Sequence, residues 1–207
     1  MRHRFIPLFL VALLLPVPKI YAATIVDTGP GPSDSGGWTL YGDQWLAAKF
    51  TITELVTISS IEGWMNVGGA GDLDIAIYTD GGEVPGLELF RATGNFSQEI
   101  PATWRGLSGL TWNLLPSTYW VAFEVVNSST FFGSMPPPSQ FPLGDEAFYC
   151  TSPFCTFPNA YNPADTLELG VRIQGTTEAV ADPASSMSLL ALSIASLGLF
   201  SSRRRNL

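Results

Sequence analysis

Three aspartates in a glycine-rich segment are the residues best suited to bind a metal ion. Asp72 and Asp74 share one face of a predicted strand, and Asp80 ends the same strand. Oxygen-only ligands at the rim of a sheet suit Ca²⁺, so these residues form a candidate calcium site. The spacing of an EF-hand is missing, and solvated aspartates on the polar face of the strand are the alternative interpretation. No other cofactor is expected.

Two of the six tryptophans are placed where they could stack on sugar rings, since an indole ring combines a large apolar face with a polar edge. Trp64 lies opposite Met65 and Val67 in a period-two alternation, which indicates a side chain that faces solvent. Trp104 lies in a stretch predicted to be a loop. Both are candidate sugar-stacking residues, and packing within a sandwich is the alternative.

The chain contains two cysteines, Cys150 and Cys155. An even pair in an exported chain is typical of a disulfide bond. The bond would close a small loop, so its stabilisation would be modest, about 2 kcal/mol. A redox-active pair is the alternative, but the Cys-x-x-Cys spacing of such pairs is missing.

Most common enzyme designs are excluded because the single histidine is His3, next to the N-terminus. Without histidine, the rest of the chain cannot form a Ser-His-Asp triad, a Cys-His pair or a histidine-ligated zinc site. Two carboxylates could serve as the acid and base of a glycosidase. With eighteen acidic residues, however, some pair will be close by chance, so we predict no catalytic residues.

The charge is unevenly distributed along the chain. All eighteen acidic residues lie between Asp27 and Asp182, and the same interval holds four basic residues, which gives it a formal charge of −14. Nucleic-acid binding depends on the neutralisation of phosphates by basic side chains. The composition therefore excludes nucleic acid as a partner and favours neutral sugar or a calcium-linked matrix.

The first 23 residues have the layout of a secretory signal peptide. Arg2 and Arg4 supply the positive start, residues 5–15 form an apolar core, and Ala22 and Ala23 offer a cleavage point. The apolar run is shorter than the ~20 residues that span a bilayer. Export by the Sec machinery is predicted, and an uncleaved anchor is the alternative.

Residues 183–202 contain no charged side chain, and Arg203, Arg204 and Arg205 follow them directly. Twenty helical residues cover roughly 30 Å, about one hydrocarbon core. The arginines would stop transfer on the cytoplasmic side. A membrane-spanning helix is therefore predicted, because the alternative of a buried amphipathic helix would require a polar face.

This C-terminal segment resembles the PEP-CTERM sorting signal of Gram-negative bacteria. That family usually has Val-Pro-Glu-Pro before its helix, and Val180, Ala181, Asp182 and Pro183 stand there in this chain, followed by Ala184. The resemblance implies processing near this motif by an exosortase, a membrane cysteine protease. It also implies tethering at the inner membrane, followed by transfer to the outer surface or extracellular matrix.

Between these segments the hydrophobic pattern predicts strands. One face is shared by Leu46, Ala48, Phe50 and Ile52, and a second set alternates at Leu73, Ile75 and Ile77. A half-buried strand is predicted over residues 167–173, and residues 110–114 are predicted to form a hairpin with the central strand at 118–126. The fold class is all-β, an antiparallel β-sandwich of jelly-roll type.

The body also resembles the β-sandwich ectodomains called choice-of-anchor domains. The resemblance is carried by residues 44–50, 75–86 and 118–123, and it implies a scaffold without catalytic residues. The predicted organisation is a signal peptide (1–23), a sandwich domain (24–178) and a sorting segment (179–207). The predicted function is a structural or adhesive role linked to exopolysaccharide or biofilm. A carbohydrate-binding module is the first alternative, and a secreted glycoside hydrolase is the second.

Overall fold

The computed structural model describes residues 20–33, 36–127, 129–137, 143–164 and 167–178. Tyr21–Glu178 form one compact unit. The predicted sorting motif from Val180 to Ala184, the stop-transfer arginines and nearly all of the predicted signal peptide lie outside the described residues. The first strand begins at Ile20, so cleavage after Ala23 would keep its second half.

The described residues form strands and connections without helix. In chain order the strands are β1 (Ile20–Asp27), β2 (Trp38–Leu40), β3 (Gln44–Ile52), β4 (Val56–Gly69), β5 (Gly71–Asp80), β6 (Pro85–Phe96), β7 (Glu99–Leu114), β8 (Ser117–Val125), β9 (Phe132–Met135), β10 (Glu146–Cys150), β11 (Ala160–Ala164) and β12 (Val171–Glu178).

The strands form two antiparallel sheets, which confirms the predicted all-β sandwich. In sheet A, β4 pairs with β7 along one edge and with β12 and β9 along the other; β1 lies beyond β12 and β2 beyond β9. Sheet B has the order β11-β10-β3-β8-β5-β6. The inner faces of the two sheets form the core.

The period-two pattern places the predicted core residues correctly. The inward side chains of β3 and β5 are buried, from Leu46 to Ile52 and from Leu73 to Ile77. Burying each such side chain stabilises the fold by about 1.5–3 kcal/mol. In β8, every residue from Tyr119 onward is buried on both faces, as a central strand requires.

The predicted hairpin between residues 110–114 and 118–126 is wrong. Leu114 pairs with Val56 of β4 in sheet A, whereas β8 lies between β3 and β5 in sheet B. The short link around Pro116 therefore crosses from one sheet to the other. Because β8 is buried on both faces and already has two neighbours, its sheet has no free edge there for the preceding strand.

The strand predicted over residues 167–173 begins only at Val171. Leu167 and Leu169 are buried as their alternation predicts. However, Glu168 has a φ of 52°, which lies in the left-handed region and is not a strand conformation. The backbone N–H groups of Glu168 and Leu169 donate to the two carboxylate oxygens of Glu146, each at 2.6 Å. The buried Glu146 carboxylate thus accepts backbone hydrogen bonds that a neighbouring strand would accept in a regular sheet.

Candidate functional site

The candidate site is the outer surface of sheet A around Trp64, Trp104, Arg172 and Glu62, called the tryptophan face below. Trp64 on β4 and Trp104 on β7 stand directly opposite each other in the strand register. Directly opposed residues in an antiparallel pair project to the same side of a sheet. The ring centroids are 5.4 Å apart at an interplanar angle of 68°, an edge-to-face contact. The structure therefore brings together both tryptophans singled out in the sequence.

The two tryptophans reach this surface for different reasons. Ile61, Met65 and Val67 of β4 are fully buried, so Trp64 points outward, as its phase predicts. Trp104 lies within a 16-residue strand, so its assignment to a loop is wrong. β7 is an edge strand whose residues are mostly half-buried. Its sequence consequently lacks the clean apolar alternation that would have predicted it.

Arg172 on β12 covers one side of the tryptophan face. Its guanidinium carbon lies 4.1 Å from the Trp104 ring centroid, a cation–π contact. Two carboxylates hold this guanidinium: Asp27 Oδ2 is 3.2 Å from Nε, and Glu62 Oε2 is 3.8 Å from Nη1. Sequence reasoning placed Arg172 on the polar side of a strand but assigned it no role, because nothing local links residues 104 and 172.

Trp64 is positioned by backbone on two sides. Its indole Nε1 donates to the Pro32 carbonyl at 3.4 Å, and its backbone N–H donates to the Gly170 carbonyl at 2.9 Å. A Cβ atom at Gly170 would lie 2.6 Å from the Cβ of Trp64, so only glycine allows this close approach. The Trp64 indole is thus held in place. The side chains of both tryptophans nevertheless remain partly exposed to solvent.

The tryptophan face therefore combines flat apolar rings with a fixed set of polar groups. Asp27 and Glu62 supply hydrogen-bond acceptors, and Arg172 supplies donors over the face of the Trp104 ring. A few placed polar groups beside aromatic surface are the usual composition of a small-molecule site. This arrangement can bind a ligand that offers both an apolar face and hydroxyl groups.

The three aspartates of the predicted calcium site are not brought together. Asp74 contacts Arg91 at 2.8 Å, while Asp80 lies at the far end of β5, roughly 26 Å along the strand from Asp72. In the part of the chain that the structure describes, no group of three or more His, Cys, Asp or Glu side chains is arranged to hold a metal ion. The described residues thus give the calcium prediction no support.

Each aspartate has other partners instead. Asp72 accepts a hydrogen bond from the Asn95 amide at 2.7 Å. Asp80 accepts from the backbone N–H of Gly82 at 2.9 Å and from the Trp120 indole at 3.2 Å, and it lies 3.4 Å from Lys49 Nζ. The Gly82 hydrogen bond is the main reason that the pKa of Asp80 is lowered. These contacts are those of structural side chains at a turn.

The outer face of sheet B carries a second group, the tyrosine–glutamate cluster of Glu124, Arg91, Tyr78 and Tyr161. Glu124 is only 1% exposed. Its Oε1 accepts hydrogen bonds from Tyr78 at 2.8 Å and Tyr161 at 2.5 Å, and its Oε2 lies 2.6 Å from Arg91 Nη2. Burial, aided by the negative charge of Glu124, raises the pKa of both tyrosines. The carboxylate is thus fully occupied by its neighbours.

Small residues underneath make this cluster possible. Ala147, Ala47, Ala122 and Ala76 stand in one row across four strands, and all are fully buried. Tyr161 and Trp120 pack over this row as a second, smaller core. Sequence reasoning did not predict this cluster. The one sign of it in the sequence was Glu124, a single acidic residue within an apolar strand.

The predicted disulfide bond is confirmed. Cys150 and Cys155 are bonded, with their Cα atoms 6.3 Å apart. The bond closes a short loop between β10 and β11, and the backbone N–H of Cys155 donates to the Ser152 carbonyl at 3.1 Å. Phe154 stands in this loop and is 97% exposed.

Comparison with protein-family models finds no match, and comparison with curated proteins finds none either. The resemblances to PEP-CTERM and choice-of-anchor proteins therefore stay predictions. Within the described residues, no helix is both long enough and apolar enough to cross a membrane.

Proposed function

We propose that this chain is an exported β-sandwich of jelly-roll type with a structural or adhesive role at the cell surface or in the extracellular matrix. The N-terminal segment would direct Sec export, and the C-terminal segment would tether the chain to the inner membrane until an exosortase processes it. The disulfide bond between Cys150 and Cys155 supports an oxidising compartment, where such bonds persist. The host would be a Gram-negative bacterium.

We further propose that adhesion occurs through neutral polysaccharide bound at the tryptophan face. One observation carries this proposal: Trp64 and Trp104, forty residues apart, meet in register on one surface and stay half-buried. The part of each indole ring that remains exposed is costly to leave in water, since aromatic side chains carry large apolar area. Neighbouring carboxylates and a guanidinium offer hydrogen bonds to sugar hydroxyls.

The charges favour a neutral polymer over an anionic one. The interval from Asp27 to Asp182 carries a formal charge of −14. All four of its cations contact carboxylates: Lys49 with Asp80 and Asp145, Arg91 with Asp74, Glu88 and Glu124, Arg105 with Glu99, and Arg172 with Asp27 and Glu62. A polyanion would therefore meet repulsion without a free cationic surface to offset it.

A non-enzymatic role is supported by what the buried carboxylates do. Glu124 is surrounded by two tyrosine hydroxyls and a guanidinium. Glu146 accepts backbone N–H groups with both oxygens. A glycosidase acid needs a protonated carboxyl facing substrate, whereas these two groups are engaged inside the fold.

Affinity gel electrophoresis tests polysaccharide binding. We expect a gel containing hydroxyethyl cellulose, a neutral glucan, to retard the protein, and a gel containing alginate to leave its mobility unchanged. Trp64→Ala and Trp104→Ala should each abolish most of the retardation. Phe154→Ala is the matched control, because it removes an exposed aromatic far from this face. Equal retardation of all variants would contradict the proposal.

Mass spectrometry of the mature protein tests the sorting part separately. We expect the mature chain to begin near Thr24 and to lack the terminal arginines. A mature protein that retains Arg203, Arg204 and Arg205 would rule out sorting by cleavage, while leaving the polysaccharide experiment unaffected.

A further inference from the structure

The two ends of the sandwich expose different apolar side chains. One end, called the leucine pole, carries four exposed leucines at strand ends and connections, and the opposite end carries four exposed aromatic side chains and one isoleucine. The exposed leucines are Leu55 (36%), Leu87 (77%), Leu89 (42%) and Leu115 (68%), and the side chains at the other end are Tyr41 (38%), Ile100 (66%), Phe132 (53%), Phe154 (97%) and Phe157 (54%). Because apolar patches on a soluble surface usually mark contact sites, this segregation calls for a reason.

The strand registers bring the four leucines together. Val56 pairs with Leu114, so Leu55 and Leu115 are the neighbouring positions where β4 begins and β7 ends. Leu89 and Leu115 line the same depression. The backbone N–H of Leu87 donates to Thr79 Oγ1 at 2.8 Å, which fixes the start of β6 at this end. The four leucines therefore lie at the same end of the sandwich, and Leu89 and Leu115 share one depression there.

Glu178, the last described residue, also lies at the leucine pole. Thr177 of β12 pairs with Val56, so Glu178 follows directly beside the connection that holds Leu55. Four residues, 179–182, separate Glu178 from the uncharged stretch that begins at Pro183. An extended chain spans at most ~3.6 Å per residue, so this stretch starts within roughly 18 Å of Glu178. The nine residues of β3 put the aromatic end about 30 Å away.

We infer that the leucine pole is seated on the lipid surface into which residues 183–202 insert, so that the leucines contact the bilayer while the chain is tethered. This inference rests on the proposed membrane tether. The connection spans at most roughly 18 Å, so the leucine pole is the end of the sandwich nearest the bilayer. Leu87 and Leu115, the most exposed of the four, would lie deepest at the interface.

The charges at the pole select the kind of lipid surface. The connections at residues 53–55, 81–84 and 115–116 contain Glu54 and Glu83 but neither lysine nor arginine. Polybasic segments are what attract proteins to anionic lipid, so this pole fits zwitterionic headgroups. A second copy is a poorer occupant, since a stable interface buries roughly 800 Å² per partner and four leucine side chains offer less.

The experiment places an environment-sensitive probe at each end. The full chain is expressed in a host without exosortase, purified in detergent and reconstituted into phosphatidylcholine vesicles. The natural cysteines are disulfide-bonded, so Leu115→Cys or Leu87→Cys supplies one free thiol for the fluorophore NBD. Phe132→Cys, at a 53% exposed position away from the disulfide bond, is the matched control at the opposite pole. Carbonate extraction of the same vesicles reports separately whether the tail is inserted.

We expect carbonate-resistant protein in which NBD at positions 87 and 115 shifts to the blue and is quenched by brominated lipid, while NBD at position 132 does neither. Inserted protein without a shift at 87 and 115 would overturn the seated pole but leave the tether intact. Protein extracted by carbonate would overturn both. A shift that depends on protein concentration and not on lipid would instead indicate a second copy, and it would also overturn the inference.

Discussion

The outer faces of the two sheets contain similar residues and differ in how these are covered. Each face has aromatic rings, an arginine and acidic groups. On sheet B, Glu124 is 1% exposed and its oxygens are all engaged, whereas on sheet A Trp64 and Trp104 remain half-buried. Residue composition alone therefore does not separate a candidate binding surface from internal packing. The two are distinguished by how deeply their polar side chains are buried.

A row of small residues on sheet B explains the difference. Tyr161 on β11 reaches Glu124 on β8 across three strand spacings, a flat distance of roughly 14 Å. A row of alanines lets these long side chains lie flat over the sheet. On sheet A, Trp64 and Trp104 are on adjacent strands and contact each other directly. The outer face of sheet B is therefore buried around Glu124, whereas the tryptophan face stays partly exposed.

The largest expected effect is on the closed face. Glu124→Ala would leave two buried tyrosine hydroxyls and one side of Arg91 without their partner, so the free energy of unfolding should fall by about 3 kcal/mol. Glu62→Ala on the tryptophan face is the matched control. Its carboxylate is partly exposed, and we expect a change below about 1 kcal/mol. Urea unfolding measures both, and equal losses would contradict the comparison.

High pH should also act on the closed face. Burial raises the pKa of Tyr78 and Tyr161, whereas a tyrosine in the unfolded chain ionises near pH 10. Above that pH the unfolded chain releases protons that the folded chain retains. Stability is therefore fully present below about pH 10 and is lost as pH rises, by up to ~1.4 kcal/mol per pH unit for each tyrosine.

Urea unfolding between pH 8 and 11 measures this slope. Tyr78→Phe and Tyr161→Phe should each make the alkaline loss shallower. Trp64→Ala, on the other face, should leave the slope unchanged while lowering the curve as a whole. If the tyrosine variants kept the parental slope, the two tyrosines would have to ionise normally in the folded protein.

Local patterns in the sequence were sufficient for the central strands and for one of the two tryptophans. β3 and β5 alternate because one side of each faces the core, and β8 is apolar on both faces because it is central. The direction of Trp64 follows from the buried residues on either side of it. Trp104 was misplaced because an edge strand has weaker apolar periodicity.

Contacts set by the order of the strands could not be predicted from those patterns. Tyr161 and Glu124 are 37 positions apart and meet only because β11, β10, β3 and β8 lie side by side in sheet B. The link at Pro116 looks like a hairpin in sequence, yet it joins two sheets, since β8 already has β3 and β5 as neighbours. Periodicity reports which side of a strand is buried, but it does not report which strand lies next to it.

The smallest expected effect on stability, and the sharpest test of the open face, comes from Arg172. Its guanidinium stacks on Trp104 and is held by Asp27 and Glu62. Arg172→Lys keeps the charge but loses the planar stacking surface, so we expect a loss of about 0.5–1 kcal/mol in unfolding free energy. Retardation in the neutral-glucan gel should nevertheless fall clearly, because the Trp104 ring would no longer be fixed.

Arg105→Lys, whose parent residue pairs with Glu99 on the same strand, is the control and should keep the parental retardation. If the two lysine variants bound glucan equally well, the guanidinium would serve the sandwich and not the ligand.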